Sequence, residues 1–573
     1  MNTGCYIGID VGSRSVRAVA VDADSDEVLA QAESSISYEV DPTNSSYITA
    51  SQCEVWVAFL DVIKQVIRNI MGRSIIGICL DATCSLVVMR VESDGSLVPQ
   101  NVDSTYSKIS GKDKGIVFWM DHRSEALRPK DNPKEMEKLA GMFIPEMAVP
   151  KVKQISEDCG EAFQSLKFFD LHEWLEWMLI TNGEADKGIS EITVSGNCEP
   201  VGIDGSLAGF CMPTLNHSCD IPIRADQIGR ACKVVAGIPF AGQRIGYVNK
   251  DISQSLFGSG SQVVVFSGLI DCYASFFANF KSLNGFTDPG NCMIMVAGTS
   301  ACFLSGTSQP RKAPTGIWGG FRLLPEYWFY EGGFSCCGVL IDHLFHDHPC
   351  GYTSSQLASS TFWKDFDSTV DRITRDYDSE WFLNRRRFYS GDYLGNRTPY
   401  NDSSISSYLI GDSMVQDERN LISKYLLILE YIVLQARLML ECFVKDGFPL
   451  QNMIVCGSLA KNYRLMELLE LVLAATFGIH VFVSNCVSDM KYHAAYGSSM
   501  VAKWASRDDE KGSGQRLEPL KAVNIERNAK ATTADRVVSL MNIKYGVMMK
   551  MIKMQQITND QLDADIDIEQ HHQ

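Results

Sequence analysis

The stretch Met295-Val296-Ala297-Gly298-Thr299-Ser300-Ala301-Cys302-Phe303-Leu304 decides how the chain is read. An apolar run, Met293–Ala297, breaks at Gly298-Thr299-Ser300 and then turns apolar again. This pattern predicts a strand, a tight turn and a second strand. Gly298 lets a ligand approach bare backbone. Peptide N–H groups and the hydroxyls of Thr299 and Ser300 suit phosphate oxygens. A plain hairpin accounts for the same residues, but the N-terminus repeats the device. There Cys5–Asp10 reads as a strand, Gly12-Ser13-Arg14-Ser15 as a hydroxyl-rich turn and Val16–Asp22 as a strand. Two such loops, one in each half, predict two related lobes gripping one polyphosphate.

With 573 residues the chain has room for two to four domains. It is 45% hydrophobic and 21% charged, as a globular protein is. A net charge of −17 argues against nucleic acid as a partner, which needs a basic patch. It does not bar a phosphate ligand, which local dipoles hold. The 18 cysteines form no Cys-x-x-Cys pair, and Cys79, Cys302 and Cys456 sit inside apolar runs. Reduced, buried thiols in a cytoplasmic protein fit that usage. No basic region precedes the first apolar run, which Asp10 interrupts, so no signal peptide is expected. Leu426–Leu440 carries Glu430, Gln435 and Arg437, so it reads as a buried helix and not a membrane span.

Along the chain, residues 1–40 read as a strand meander. Trp56–Met71 has helical apolar spacing with Val62, Ile63, Val66 and Ile67 on one face. Ser74–Leu80 is an expected strand ending at Asp81. Helices are expected over Asn132–Met142, Asp170–Thr181, Ala225–Val235 and Cys272–Phe280. The main boundary is placed near residue 272, giving a lobe over 1–272, a second over 273–505 and a charged linker with a C-terminal helix over 506–573. In the second half Gly332–His346 is an expected helix, 350–380 an irregular stretch and Glu418–Val444 the longest helix. Thr533–Gln555 reads as helical and Asp560–Gln573 as frayed.

Several residues offer chemistry. Asp10 ends the first strand beside the first turn, where a carboxylate can hold Mg²⁺; Arg17 is within reach. A turn-capping role fits Asp10 equally. Asp271 follows an apolar strand and opens a helix; it suits either an N-cap or a base that takes a proton from an attacking hydroxyl. Asp121-His122-Arg123 follows the aromatic Phe118-Trp119 and suits a polyol, or else a surface ion pair. Glu331-Gly332-Gly333 is read as a helix start whose carboxylate can accept sugar hydroxyls. Gly457-Ser458-Leu459-Ala460-Lys461-Asn462 lies between a strand and a helix, a common nucleotide-contact geometry. His343, His346, His348 and Cys350 have metal-like spacing, but a helix end explains them without a metal.

Taken together these pieces resemble the FGGY carbohydrate kinases of the actin-like ATPase superfamily, and most of all their ribulokinase branch. The resemblance is carried by Gly8-Ile9-Asp10-Val11-Gly12-Ser13 with Arg17, Asp81-Ala82-Thr83-Cys84-Ser85-Leu86-Val87 and Trp119-Met120-Asp121-His122-Arg123. In the second half it is carried by Ala297-Gly298-Thr299-Ser300, Gly316-Ile317-Trp318-Gly319, Glu331-Gly332-Gly333 and Gly395-Asn396-Arg397-Thr398-Pro399. The resemblance implies an α/β fold of two ribonuclease H-like lobes with the site in the cleft between them. It implies a sugar near Asp81, Ala82, Asp121, His122, Arg123, Asp271 and Glu331. ATP would lie on Gly12, Ser13, Arg17, Gly298, Thr299, Ser300, Gly457, Ser458 and Asn462. Asp271 would be the catalytic base, with Asp10 and Asp271 at Mg²⁺. The implied reaction moves the γ-phosphate of ATP to a terminal hydroxyl of a pentulose or pentitol, D-ribulose foremost. The implied partners are a small sugar or polyol and, since many kinases of the family pair, a second copy in a homodimer.

The chain also departs from the family pattern. Cys198-Glu199-Pro200 stands where Cys-Lys-Trp is usual, Cys272-Tyr273 where Ala-His is frequent, and Ser458 and Phe334 where Gly and Gln are usual. Leu469-Glu470-Leu471 replaces an expected alanine-aspartate pair. These departures support a second reading, a sugar- or nucleotide-binding regulatory member with impaired turnover. A third is a kinase for another polyol such as xylulose or glycerol.

Overall fold

The computed structural model describes residues 4–70, 72–106, 112–131, 134–184, 207, 214–229, 240–258, 262–279, 289–324, 327–357, 359–508, 523–524 and 531–570. The expected Glu199 position lies outside them, as does most of the 506–530 segment.

The first sheet is built on β1 (Gly4–Val11), β2 (Ser15–Asp22), β3 (Val28–Ser35) and β4 (Ser74–Ala82). β1–β3 form an antiparallel meander and β4 runs parallel to β1, pairing Asp81 with Asp10. β5 (Arg244–Tyr247) and β6 (Val264–Phe266) extend the far edge, giving the order β5-β6-β4-β1-β2-β3; β7 (Leu269–Ile270) pairs with β4. Cys5, Ile7, Ile9 and Val11 point to one face, where α1 (Gln52–Asn69) sets Val55, Phe59, Val62, Ile63 and Val66 against them. Ser51 caps α1, its hydroxyl accepting the Glu54 N–H at 3.1 Å. A second sheet, in which Leu86–Val91 pairs with Leu166–Asp170, flanks this lobe. It leads into α2 (Leu171–Thr181). The lobe ends with α3 (Asp271–Ala278).

The second lobe repeats the plan. β8 (Cys292–Ala297) and β9 (Ala301–Thr307) form the predicted hairpin, with Ala297 opposite Ala301 across the turn. β10 (Trp318–Leu324) and β11 (Tyr327–Phe334) continue it antiparallel. The chain then forms α4 (Gly338–Asp347) and the 28-residue α5 (Glu418–Lys445). β12 (Asn452–Cys456) runs parallel to β8, as β4 does to β1, and α6 (Tyr463–Phe477) leads to β13 (His480–Val483). With β14 (Val523–Asn524) the sheet order is β10-β11-β9-β8-β12-β13-β14.

Two helices complete the assembly. α7 (His493–Asp508) leaves the second lobe and packs on the first sheet, against β1, β2 and β4, and beside α3. A Cβ at Gly8 would come within 1.9 Å of the Ala495 carbonyl, and one at Gly497 within 1.7 Å of the Ala274 carbonyl. α7 is therefore in backbone contact with β1 and α3. Buried Lys503 pairs with Asp26, and the Ser498 hydroxyl donates to Asp81 at 2.6 Å. α8 (Ala531–Gln570) lays Val537, Met541, Tyr545, Met548 and Ile552 into the second-lobe core, and buried Lys544 pairs with Glu430 of α5.

Some expected elements differ. Glu331-Gly332-Gly333 lie in strand β11, not at a helix start. They pair with Leu304, Phe303 and Cys302, and the helix begins at Gly338. Two adjacent glycines favour extended pairing over a helical turn. Among the described residues of Asn132–Met142 the helix is a 3₁₀ helix, Lys134–Leu139, and of Ala225–Val235 the 3₁₀ turn Ala225–Gln227 is described. The irregular 350–380 stretch holds a helix, Phe362–Thr374, whose narrow stripe Phe362, Phe366 and Val370 is buried. α8, with 40 residues, exceeds α5 and runs past the expected frayed start at Asp560.

The α7 contact yields a prediction. Gly497→Ala forces α7 from α3, and overpacking of this kind costs about 1–3 kcal/mol. Its thermal midpoint should fall. Gly546→Ala in α8, where a Cβ meets nothing within 4 Å, should hold or raise the midpoint, as alanine favours a helix. Equal midpoints for the two variants would contradict the close contact.

Candidate active site

A cleft of about 340 Å³ opens between the lobes. Its walls are the ends of β1 and β8 with their turns, the start of α3, and the Gly457 loop. Of the residues expected at the site, it gathers Asp10, Gly12, Ser13, Arg17, Asp271, Gly298, Thr299, Ser300, Glu331, Gly457 and Ser458.

Both turns are held from outside. The indole N–H of Trp119 donates to the Ser13 hydroxyl at 2.9 Å. The Gly298 and Thr299 carbonyls accept the N–H groups of Gly338 and Cys337 at the start of α4, both at 2.9 Å. Those carbonyls are thus committed to the helix, and the turn's other face meets the cleft. Gly457 has φ +91°, and a Cβ there would meet the Ala297 carbonyl at 2.4 Å. Only glycine lets this loop close against the end of β8.

Three carboxylates converge through strand register. Asp10 and Asp81 are partners on β1 and β4, and β7 delivers Asp271 immediately after Ile270, itself opposite Ala82. Arg17, opposite Asp10 on β2, donates to it at 3.1 Å and to Glu33 at 3.0 Å. Burial raises the Asp10 carboxyl above the ordinary range, with Arg17 opposing. Burial, then the charge of Asp10, pushes Asp81 well above it, although the Ser498 hydroxyl favours its charged form. Asp271 is pushed up to about 7 by burial, then by Asp10, with a smaller push from Glu331. These oxygens are hard donors, a set that suits Mg²⁺.

Glu331 reaches the cleft from β11. The Tyr273 hydroxyl of α3 donates to its Oε2 at 3.0 Å, and Arg397 pairs with its Oε1. Arg397 stands in the sequence only as part of the Gly395–Pro399 motif. Here its guanidinium lies 4.9 Å from the Trp318 ring and 3.7 Å from the Cys302 sulfur. Thr398 fixes that loop by exchanging two hydrogen bonds with Gly333. His493 also lines the cleft; burial drops its imidazole to about 3, so it is neutral. No pattern in the sequence marks His493 or Lys491, which come to the cleft by tertiary packing alone.

Other expected residues stand elsewhere. Asp81 is bonded to Ser498 behind the cleft wall, and Ala82 is buried in the strand. Asp121 and Arg123 form a forked ion pair with fully buried side chains; Asp121 also accepts the Ile48 N–H at 2.6 Å, and Arg123 stacks over Tyr47. His122 is 3.8 Å from Glu146, which accepts from Ser335 of the second lobe. Asn462 caps α6 and donates to the Tyr425 hydroxyl at 2.7 Å. His343 and His346 are exposed and pair with Asp347, whereas His348 turns inward to Asn420, so this cluster does not converge. Among the described residues, no helix is long and apolar enough to cross a membrane.

Comparison with known proteins agrees with this architecture. Residues 293–506 match the model of the C-terminal domain of the FGGY family of carbohydrate kinases. A D-ribulokinase of Saccharomyces cerevisiae is 28% identical over 88% of this chain and 72% of its own length. A human FGGY carbohydrate kinase domain-containing protein is 26% identical over 80% of this chain and 82% of its own. The crystal structure of a xylulose kinase from Lactobacillus acidophilus superposes with a TM-score of 0.67 at 14% identity. It covers 96% of this chain and 98% of that one, and so shares the fold. The two-lobed fold, the hydroxyl-rich turns facing one cleft and these similarities together liken the chain to the FGGY carbohydrate kinases, with residues 293–506 matching their C-terminal domain.

Proposed function

We propose that the chain transfers the γ-phosphate of ATP to a terminal hydroxyl of a pentulose, D-ribulose foremost, with Asp271 as general base. The observation that carries this reading is Asp271 itself: a carboxyl at the cleft, raised to about 7, facing both glycine-hydroxyl turns. A base with a pKa near working pH combines a usable ionised fraction with proton affinity. The similarity to the yeast D-ribulokinase over most of the chain favours ribulose over other polyols.

In this reading the sugar lies on the Glu331 side. Tyr273 and Arg397 hold the Glu331 carboxylate in one orientation, free to accept hydroxyl protons. The turns Gly12-Ser13 and Gly298-Thr299-Ser300 take phosphate oxygens with their N–H and hydroxyl groups. Gly457 and Ser458 face the nucleoside. Asp271 takes the proton as the sugar oxygen attacks phosphorus and ADP leaves. Such transfer needs positioning and charge neutralisation more than covalent help. Asp10, supported by Asp271, would hold Mg²⁺, whose charge offsets that of the phosphates when bound. Arg17 keeps Asp10 aimed at the cleft.

Cys272 and Ser458, both at the cleft, are the departures that favour the regulatory reading, and the same assay separates the two. ADP release with D-ribulose, D-xylulose, pentitols and glycerol should be fastest with D-ribulose. Asp271→Asn should lower kcat by about 10²–10⁴-fold, the usual worth of a general base. Binding of sugar or ATP without turnover on any substrate would favour the regulatory reading. Full activity in Asp271→Asn would remove it as the base.

The pH profile follows from the same group. The base works ionised, so kcat/KM should fall about tenfold per unit below a bend near pH 7 and level off above it. A profile flat from pH 5.5 to 8 would contradict the assignment.

A further inference from the structure

Helix α2 carries a second chemical cluster into the interior of the first lobe, away from the cleft. His172, Glu173 and Glu176 are all buried, and one ligand atom from each lies within 4.8 Å of the others. His172 is only 4% exposed, and neither of its ring nitrogens has a hydrogen-bond partner. Oε2 of Glu176 has none either. His172 Nδ1 stands 3.7 Å from Glu176 Oε1, too far for a hydrogen bond. Two ligands of one tetrahedral cation sit about 3.4 Å apart, given metal–ligand bonds of about 2.0–2.2 Å.

The local charge favours a cation. The acids Glu176, Glu173 and Asp170 act on His172, and Glu173 adds to the burial that raises Glu176 to about 7. Oε1 of Glu176, the oxygen measured against His172, also accepts the Gly268 N–H at 2.6 Å, while Oε2 has no partner. Buried polar atoms without partners are costly, and here several fall on two turns of one helix. One imidazole nitrogen and two carboxylate oxygens form a donor set of the kind Zn²⁺ takes.

We propose that His172, Glu173 and Glu176 form a structural site for a divalent transition-metal cation of the Zn²⁺ class, with water as fourth ligand. The site ties α2 to Gly268, three residues before Asp271, and so stiffens the strand that presents the cleft carboxylate. The competing arrangement is a protonated His172 paired with Glu176, which needs no metal.

The test uses the full chain, stripped with chelator and returned to Zn²⁺. Wild type should bind one equivalent at this site. His172→Gln and Glu176→Gln should each weaken binding more than tenfold. Crystals of wild type soaked in Zn²⁺ should show an anomalous peak at the absorption edge among the three side chains, and this result does not depend on the variants folding. A map without that peak overturns the site. So does a peak confined to Cys272, Cys302 and Glu331, the other convergent group among the described residues. Unchanged affinity in both folded variants would overturn it as well.

Discussion

The structure depends on one close contact, that of α7 with β1 and α3. Gly8 and Gly497 remove the side chains that would separate these elements, and the backbones meet directly. A helix of the second half of the chain thereby becomes part of the first lobe. Lys503 and Ser498 then reach Asp26 and Asp81, buried polar partners that could not be left alone. The segment leading into α7 also brings Lys491 to Glu33, at 2.7 Å, and His493 to the cleft wall. The packing of the first sheet and one wall of the cleft thus meet at this joint.

That joint also shapes the electrostatics. Ser498 anchors Asp81 behind Asp10, and strand pairing sets Asp271 close by. Three carboxylates share a poorly solvated space, and burial together with their mutual repulsion raises each above the ordinary carboxylate range. The folded chain holds these charges together against their own repulsion. Groups gathered at such a cost mark a site where charge is used. Arg397 and Tyr273 do the opposite for Glu331, satisfying its oxygens and fixing its direction.

The parts of this plan that rest on local rules were legible in the sequence. Strand–turn–strand at Cys5–Asp22 and at Met293–Gly306 followed from apolar runs broken by glycine and hydroxyls, and α1 from its 3.6-residue spacing. Glu331 was legible as a carboxylate of interest but not as a strand residue, because its pairing with Leu304 is a tertiary fact. Asp121-His122-Arg123 read as a polyol contact or else a surface ion pair; the Asp121 and Arg123 side chains are paired but fully buried, and spacing says nothing of depth. The inward turn of His348 and the arrival of His493 and Arg397 at the cleft likewise depend on packing between distant segments. The helix Phe362–Thr374 was hidden because only one residue in four along it is apolar and buried.

The central claim is phosphoryl transfer to the terminal hydroxyl of a pentulose. Phosphorus NMR of the product formed from ATP and D-ribulose tests it most directly. The account predicts a phosphate ester on the terminal carbon, its resonance coupled to the two hydrogens there, in step with ADP. Inorganic phosphate alone, or an ester at a secondary carbon, would contradict it.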